Sequence, residues 1–156
     1  MIFKSAKTWV YYFLIPLFID RLSKYLVITK LLPEQKIFPF LSIYVTFNKG
    51  VSWGIGNSGK ILPLVMISFL VALIILWFFW YLYSTPMTMF EYKIGLIILA
   101  SALSNFYDRI RYEGVVDFIF FHWNRWSFPI FNIADIFITI GTSCLIFYHF
   151  RLLQKT

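Results

Sequence analysis

The chain has 156 residues, of which 60% are apolar and 13% are charged, and its mean hydropathy is +0.76. Soluble domains carry about 25% charged residues, so this composition excludes a disordered chain, a coiled coil and an ordinary soluble domain. The length allows one domain, residues 1–156. The bases that give the net charge of +7 are scattered at the ends of apolar runs. That pattern argues against a nucleic-acid partner and favours membrane lipids with anionic headgroups.

Four apolar runs predict four transmembrane helices, because about 20 mostly apolar residues cross a bilayer. The runs are Trp9–Ile28, Ile61–Tyr83, Tyr92–Ile110 and Phe128–Phe150. The first run would also suit a signal peptide, but no small-x-small cleavage site follows it, so we expect a retained helix. The predicted fold class is therefore an all-α integral membrane protein.

Two longer connections, 29–60 and 111–127, lie on the same side of the four predicted spans. In the first, Ile43, Val45 and Phe47 alternate with polar or amphipathic residues, and this period of two predicts a strand. The segment Val115–Phe121 is β-branched and aromatic, which also favours a strand. We therefore expect a small β-element on this membrane face. Turn residues surround it, namely Pro39, Gly50, Gly54, Gly56 and Gly59.

The orientation of the helices does not follow from charge. Five bases lie on the side of the chain termini and nine lie in or near the opposite half. The excess of bases that normally marks the cytoplasmic side therefore leaves the topology undecided.

Acidic residues converge on the face that carries the β-element. The span assignment places five of the seven acids there: Asp20, Asp108, Glu113, Asp117 and Asp135. Ionisable groups at membrane depth are costly and usually functional. This convergence predicts a functional site at that face.

Polar residues also share helix faces near the same end. Asp20 and Lys24 are four residues apart, so they could form an ion pair or support a site. Asn105 and Arg109 have the same spacing, and Ser101 lies one turn earlier. Snorkelling of a long side chain towards the interface would explain Arg109 but not its two polar neighbours.

Asp117 and Asp135 each stand within apolar sequence. Asp117 could be a turn or edge acid, and Asp135 could complement the dipole of a helix that Asn132 caps. However, two acids at one depth must find partners. If their carboxylates meet, repulsion makes them share one proton, so that one activates a water and the other acts as acid. That is the chemistry of an aspartic protease.

Five segments, in this order, resemble the successive motifs of the lipoprotein signal peptidases (signal peptidase II). They are Asp20–Lys24, Asn48–Trp53, Ser104–Arg109, Gly114–Phe118 and Phe131–Asp135. The resemblance implies four transmembrane helices, a small extracytoplasmic β-cradle and an aspartyl endopeptidase. Such an enzyme removes the signal peptide of a prolipoprotein before its diacylglyceryl-modified cysteine. The resemblance also implies the bacterial cytoplasmic membrane, with cytoplasmic termini and an active site near the outer face.

The resemblance assigns roles by motif. Asp117 and Asp135 would be the catalytic pair. Asn48, Asn105, Arg109 and Asn132 would line the site for substrate or globomycin-type inhibitors. Supporting roles would fall to Asp20, Lys24, Gly50, Ser101 and Asp108. The chain departs from the family pattern at Ser104, usually glycine, and at Trp53, usually phenylalanine, and both changes could alter pocket shape. With the termini in the cytoplasm the excess of bases on the outer side needs a role, and we expect Lys30, Lys36 and Lys49 to contact lipid headgroups.

Two other readings account for the same residues. A proton or ion transporter could use Asp20, Lys24, Asp117 and Asp135 as a relay, but the opposite half of each span lacks acidic residues. A non-catalytic membrane partner would leave the paired acids unexplained. We expect neither cofactor nor metal, since there is no zinc motif and His122 and His149 lie near opposite faces.

Overall fold

The computed structural model describes residues 5–30, 34–50 and 61–154. Its helices are α1 (Ala6–Trp9), α2 (Ile15–Lys30), α3 (Ile61–Ser84), α4 (Met89–Tyr112) and α5 (Ile133–Leu153). Its strands are β1 (Gln35–Phe38), β2 (Leu41–Asn48), β3 (Val115–Trp123) and β4 (Trp126–Ser127). The protein is thus mostly helical with a small antiparallel sheet.

Three helices in the described part of the chain are long and apolar enough to cross a membrane. They are Leu62–Ser84, Met89–Tyr112 and Ile133–Leu153. These agree with the second, third and fourth runs in the sequence. Helix α3 exposes large apolar side chains on much of its surface, including Leu62 and Phe69, each 65% exposed. An apolar surface of that kind suits lipid.

The first apolar run forms a helix of mixed character. Helix α1, a π-helical segment Val10–Leu14 and α2 follow one another without a break. Asp20 and Lys24 are fully buried in α2, so its polar stripe faces the other helices. This helix is not among the three that meet the length and hydropathy of a span.

Helix α5 begins later than predicted. The run was expected to start at Phe128, but α5 begins at Ile133. Phe131 instead pairs with Ile119 of β3, since its backbone N–H donates to the carbonyl of Ile119 at 3.1 Å. Asn132 then caps the helix by accepting from the backbone N–H of Asp135 at 3.0 Å.

The predicted strands are confirmed and join into one sheet of order β1-β2-β3-β4. Pro39 lies in the turn between β1 and β2, as expected. Gly54, Gly56 and Gly59 lie outside the described residues. The register places Asn48 opposite Val115 and Thr46 opposite Asp117. The end of β2 therefore lies beside the start of β3.

The link from α4 to β3 is short. Glu113 ends the helix in the left-handed conformation with φ 56°. A Cβ on the next residue, Gly114, would lie 3.2 Å from the backbone carbonyl of Asn48, so glycine permits this close approach. The sheet consequently starts directly at the end of α4, which brings Asp117 close to the charged residues of that helix.

Candidate active site

Asp117 lies on β3 and is 3% exposed. Its carboxylate accepts from the side-chain amides of Asn132 at 2.7 Å and Asn48 at 3.1 Å. Burial and the nearby negative charge of Asp135 raise the pKa of Asp117 to about 7. This carboxyl therefore holds its proton more tightly than an ordinary aspartate does.

Asp135 occupies the third position of α5, where the helix dipole favours a negative charge. Its carboxylate accepts from the backbone N–H of Asn132 at 3.1 Å and from the side-chain amide of Asn105 at 2.9 Å. Asn132 thus contacts both acids, one through its side chain and the other through its backbone. The fold brings together two acids that are 18 positions apart in the sequence.

Both acids line one cavity of about 550 Å³. Its polar wall also includes Asn48, Asn105 and Arg109. The rest of the lining is mostly apolar, with Phe128–Phe131 on one side and residues of α5 on another. A few converging polar groups in an apolar cleft are typical of a ligand site.

Arg109 reaches this cavity from the last turn of α4. Its Nη2 donates to the backbone carbonyl of Gly50 at 2.7 Å, and Gly50 in turn donates its N–H to the side chain of Asn48 at 3.1 Å. Its Nη1 is buried and has no hydrogen-bond partner within the described ranges. Arg109 is therefore held by the protein and is not snorkelling to water.

Four charged side chains form a cluster behind the two acids. Lys24 Nζ lies 2.8 Å from carboxylate oxygens of both Asp20 and Asp108. Arg21 also pairs with Asp108. Asp20, Lys24 and Asp108 are fully buried, whereas the side chain of Arg21 is 24% exposed. We call these four residues the charged cluster.

Comparisons with known proteins show which family the chain belongs to. A family model described as signal peptidase (SPase) II matches residues 12–151. The chain belongs to the signal peptidase II family. The protein is therefore an enzyme, a membrane aspartyl protease of a bacterial type.

Lipoprotein signal peptidases of several bacteria are similar to this chain over nearly its whole length. A lipoprotein signal peptidase of Coxiella burnetii is 37% identical, covering 93% of this chain and 91% of its own. One from Sinorhizobium fredii is 34% identical, covering 93% and 87%. A solved structure titled as a bacterial membrane enzyme, at 1.9 Å resolution, has a TM-score of 0.73 and 31% identity, covering 92% and 90%.

The structure brings most of the predicted site residues together but places some away from the cavity. Ser101 is buried and donates to the carbonyl of Ile97 in its own helix at 2.9 Å. Asn132 is fully buried behind both acids and is not among the residues that line the cavity. Of the five acids predicted to converge on one membrane face, four lie at or next to the cavity. The fifth, Glu113, is exposed at the end of α4.

Two residues next to the site were missed as site residues. Arg21 lies within the Asp20–Lys24 segment but was given no role, and Ser104 was noted only as a departure from the family pattern. Ser104 donates to Asp20 at 2.6 Å and accepts from Arg21 at 3.3 Å. The spacing of three between Arg21 and Lys24 was the available signal, because residues three apart share a helix face.

The two histidines have separate partners. His122 on β3 forms a hydrogen bond with Ser42 at 2.9 Å. His149 on α5 lies 3.1 Å from the carboxylate of Glu91 on α4. Within the described residues, no group of three or more potential metal ligands occurs.

Proposed function

We propose that this chain removes signal peptides from lipid-modified prolipoproteins, with Asp117 and Asp135 as the catalytic pair. The observation that carries the proposal is that both acids share Asn132 and open on one cavity. An aspartyl protease needs two carboxyl groups that can reach the same water. Membership of the signal peptidase II family supports the same reaction.

The two acids differ in their surroundings, and this suggests their roles. Asp135 accepts hydrogen bonds from the backbone N–H of Asn132 and the side-chain amide of Asn105 at the start of α5, a placement that suits the acid that takes a proton from water. The pKa of Asp117 is raised to about 7, so this carboxyl retains a proton more readily. In the proposed resting state the pair shares one proton, which we assign to Asp117, so that Asp135 acts as the base.

The reaction follows from that state. Asp135 takes a proton from water, whose oxygen attacks the carbonyl carbon of the scissile peptide bond. Asp117 donates its proton to the carbonyl oxygen, which gives a tetrahedral diol. Asp135 then gives the proton it took from water to the amide nitrogen as the C–N bond breaks, and Asp117 takes a proton back from one hydroxyl of the diol. One new carboxyl end and one new amino end result, and both acids return to their starting states.

Polar residues on the cavity wall would position the peptide. The buried Nη1 of Arg109 is available to donate to a substrate carbonyl. Asn48 and Asn105 hold the acids and also face the cavity. Globomycin-type inhibitors would occupy this space.

The proposal includes a membrane arrangement. The continuous helix of residues 6–30 would be a fourth span beside the three apolar ones, its buried polar stripe turned towards α4. The termini would then lie in the cytoplasm, and the sheet and cavity near the outer face of the bacterial cytoplasmic membrane. The acyl chains of a diacylglyceryl cysteine would stay in lipid and hold the scissile bond at the depth of the acids.

The test compares two substrates in one detergent: a prolipoprotein with its diacylglyceryl group and the same precursor without it. We expect cleavage of the lipidated form, read as a gel shift, and little or no cleavage of the other. Asp135→Asn serves as the inactive control. Equal cleavage of both forms would show that the enzyme selects its substrate by the peptide and not by the lipid. Cleavage by the Asp135→Asn variant would show that Asp135 is not a catalytic residue.

A further inference from the structure

The charged cluster is neutral only because Arg21 takes part. Asp20 and Asp108 carry two negative charges, and Lys24 supplies one positive charge. Arg21 supplies the second through its contact with Asp108. An unpaired charge at this depth would be costly. Tyr107 covers the guanidinium of Arg21, whose Cζ lies 4.5 Å from the ring centroid, so the arginine is held in place from two sides.

The cluster reaches the backbone beside each catalytic acid. Asp108 accepts from the N–H of Val116, which precedes Asp117, at 3.2 Å. Asp20 accepts from the N–H of Ala134, which precedes Asp135, at 2.7 Å. The two acids of the cluster thus tie β3 and the start of α5 to the same pair of cations.

A third connection runs through Lys24 to a catalytic side chain. Lys24 Nζ donates to Oδ1 of Asn105 at 2.6 Å. Because an ammonium group can only donate, Asn105 must turn its oxygen to Lys24 and its NH₂ group to Asp135. All three N–H groups of Lys24 are used, by Asn105 and the two acids of the cluster. A change in the position of the ammonium group would therefore displace Asn105 and, through its hydrogen bond, Asp135.

Arg21 constrains this ammonium group indirectly. Its Nη1 contacts Asp108, the carbonyl of Ser104 at 3.2 Å and the hydroxyl of Ser104 at 3.3 Å. That hydroxyl donates onward to Asp20 at 2.6 Å. Arg21 therefore binds one acid directly and the other through Ser104, and both acids hold Lys24.

We propose that Arg21 is a positioning residue for the catalytic pair, acting through Asp108, Ser104 and Lys24 to set the placement of Asp117 and Asp135. It touches neither acid and does not line the cavity. The inference rests on the proposed function, since it assumes that these two acids do the chemistry. It gives Arg21 a task beyond making Asp108 tolerable in the membrane.

The test measures cleavage of a lipidated precursor by Arg21→Gln and Arg21→Lys, per folded molecule. We expect kcat of Arg21→Gln to fall about 10- to 100-fold, because small misplacements of catalytic groups have effects of that size. KM should stay within about twofold, because Arg21 lies outside the cavity. Arg21→Lys, which keeps the charge, should recover most of the rate. Arg111→Gln, an exposed arginine on the same helical turn as Asp108, is the matched control for lost charge.

The pH profile gives a readout that a purely structural role would not move. Without Arg21 the cluster carries a net negative charge. The charged groups around Asp135 are then Asp20 and Lys24 from α2, Asp108 and Arg109 from α4, and Asp117 from β3. A carboxylate beside added negative charge ionises at higher pH, so the acidic limb of the kcat profile should move to higher pH in Arg21→Gln and stay in place in Arg111→Gln.

Ser104→Ala keeps the proposal testable if Arg21→Gln fails to fold. It removes the hydroxyl link between Arg21 and Asp20 without a change in charge, and we expect a loss in kcat of about two- to fivefold. Wild-type kcat and pH profile in a folded Arg21→Gln would overturn the proposal, as would a change in KM alone. Cleavage by Asp135→Asn would instead refute the proposed function, so the two failures are distinguishable.

Discussion

The two ends of the helix bundle differ in the polarity of their buried side chains. At the end where α1 begins and α5 ends, which we call the terminal end, the core includes Ile75, Leu82, Tyr92, Leu96 and Leu99. At the sheet end, the buried side chains include Asp20, Lys24, Asp108, Asp117 and Asn132. Apolar packing between helices in lipid gains little from the hydrophobic effect, because the lipid tails are apolar too. Charged hydrogen bonds have defined directions and lengths, so we expect atoms at the sheet end to be held in more closely defined positions than those at the terminal end.

The largest expected effect is on the acids themselves. Asp117→Asn and Asp135→Asn should each reduce cleavage of a lipidated precursor at least about 1,000-fold, since an amide cannot exchange the proton that the mechanism requires. The gel-shift assay measures the loss, and circular dichroism checks that the variants fold. Near-normal turnover in either variant would remove that residue from the catalytic pair.

The next effect concerns the charged cluster. Lys24→Met leaves Asp20 and Asp108 buried with only Arg21 as a cation. We expect a loss of about 3–5 kcal/mol in the free energy of unfolding, the range for breaking a buried ion pair. Denaturation in mixed detergent micelles measures it. Lys30→Met, an exposed lysine on the same helix, should change the unfolding free energy little, and equal losses in both variants would contradict a special role for the cluster.

A smaller effect is expected at the terminal end. Leu99→Ala should lower the free energy of unfolding by about 2 kcal/mol, because it removes buried packing. The loss should stay near the low end of the range measured for leucine-to-alanine substitutions in protein cores, since Leu99 already borders an apolar cavity of about 260 Å³. Cleavage per folded molecule should not change. A reduced kcat would show that the terminal end does contribute to the placement of the acids. Leu62→Ala, 65% exposed, is the matched control.

The last expected effect is on the pH dependence of stability. The pKa of Asp117 is raised to about 7 in the folded protein and is about 4 when unfolded. Between these values the folded state binds more protons than the unfolded state, so the stability from this group falls as pH rises from about 4 to 7. The contribution is on the order of one to a few kcal/mol. Asp117→Asn should flatten this slope in thermal unfolding, and an unchanged slope would contradict a raised pKa.

Much of the fold follows from local patterns. The uncharged run at Ile61–Tyr83 became α3, and the alternation at Ile43, Val45 and Phe47 became β2. The start of α5 was predicted five residues early, at Phe128 instead of Ile133. An apolar run cannot distinguish a helix from a segment that pairs with a strand, and Phe131 pairs with Ile119.

Only some of the contacts in the site could be predicted from the sequence. Asp117, Asp135 and Asn105 lie together, as their placement at one membrane face suggested. Spacing also linked Asp20 with Lys24, and the two do form an ion pair. Ser101 shares the helix face of Asn105, yet its hydroxyl bonds within its own helix. Spacing shows which residues share a face, but it does not show which atom of a neighbouring element meets them.

The sequence by itself determined the lipid environment, three of the apolar helices, the strands and the residues that had to find partners, because these depend on hydropathy, periodicity and the cost of burying charge. Only the tertiary structure decided that Asn132 bridges both acids and that Arg21, 87 positions away from Asp108, completes the charge balance of the cluster. Such contacts join distant segments, and their geometry depends on how α2, α4, β3 and α5 pack together.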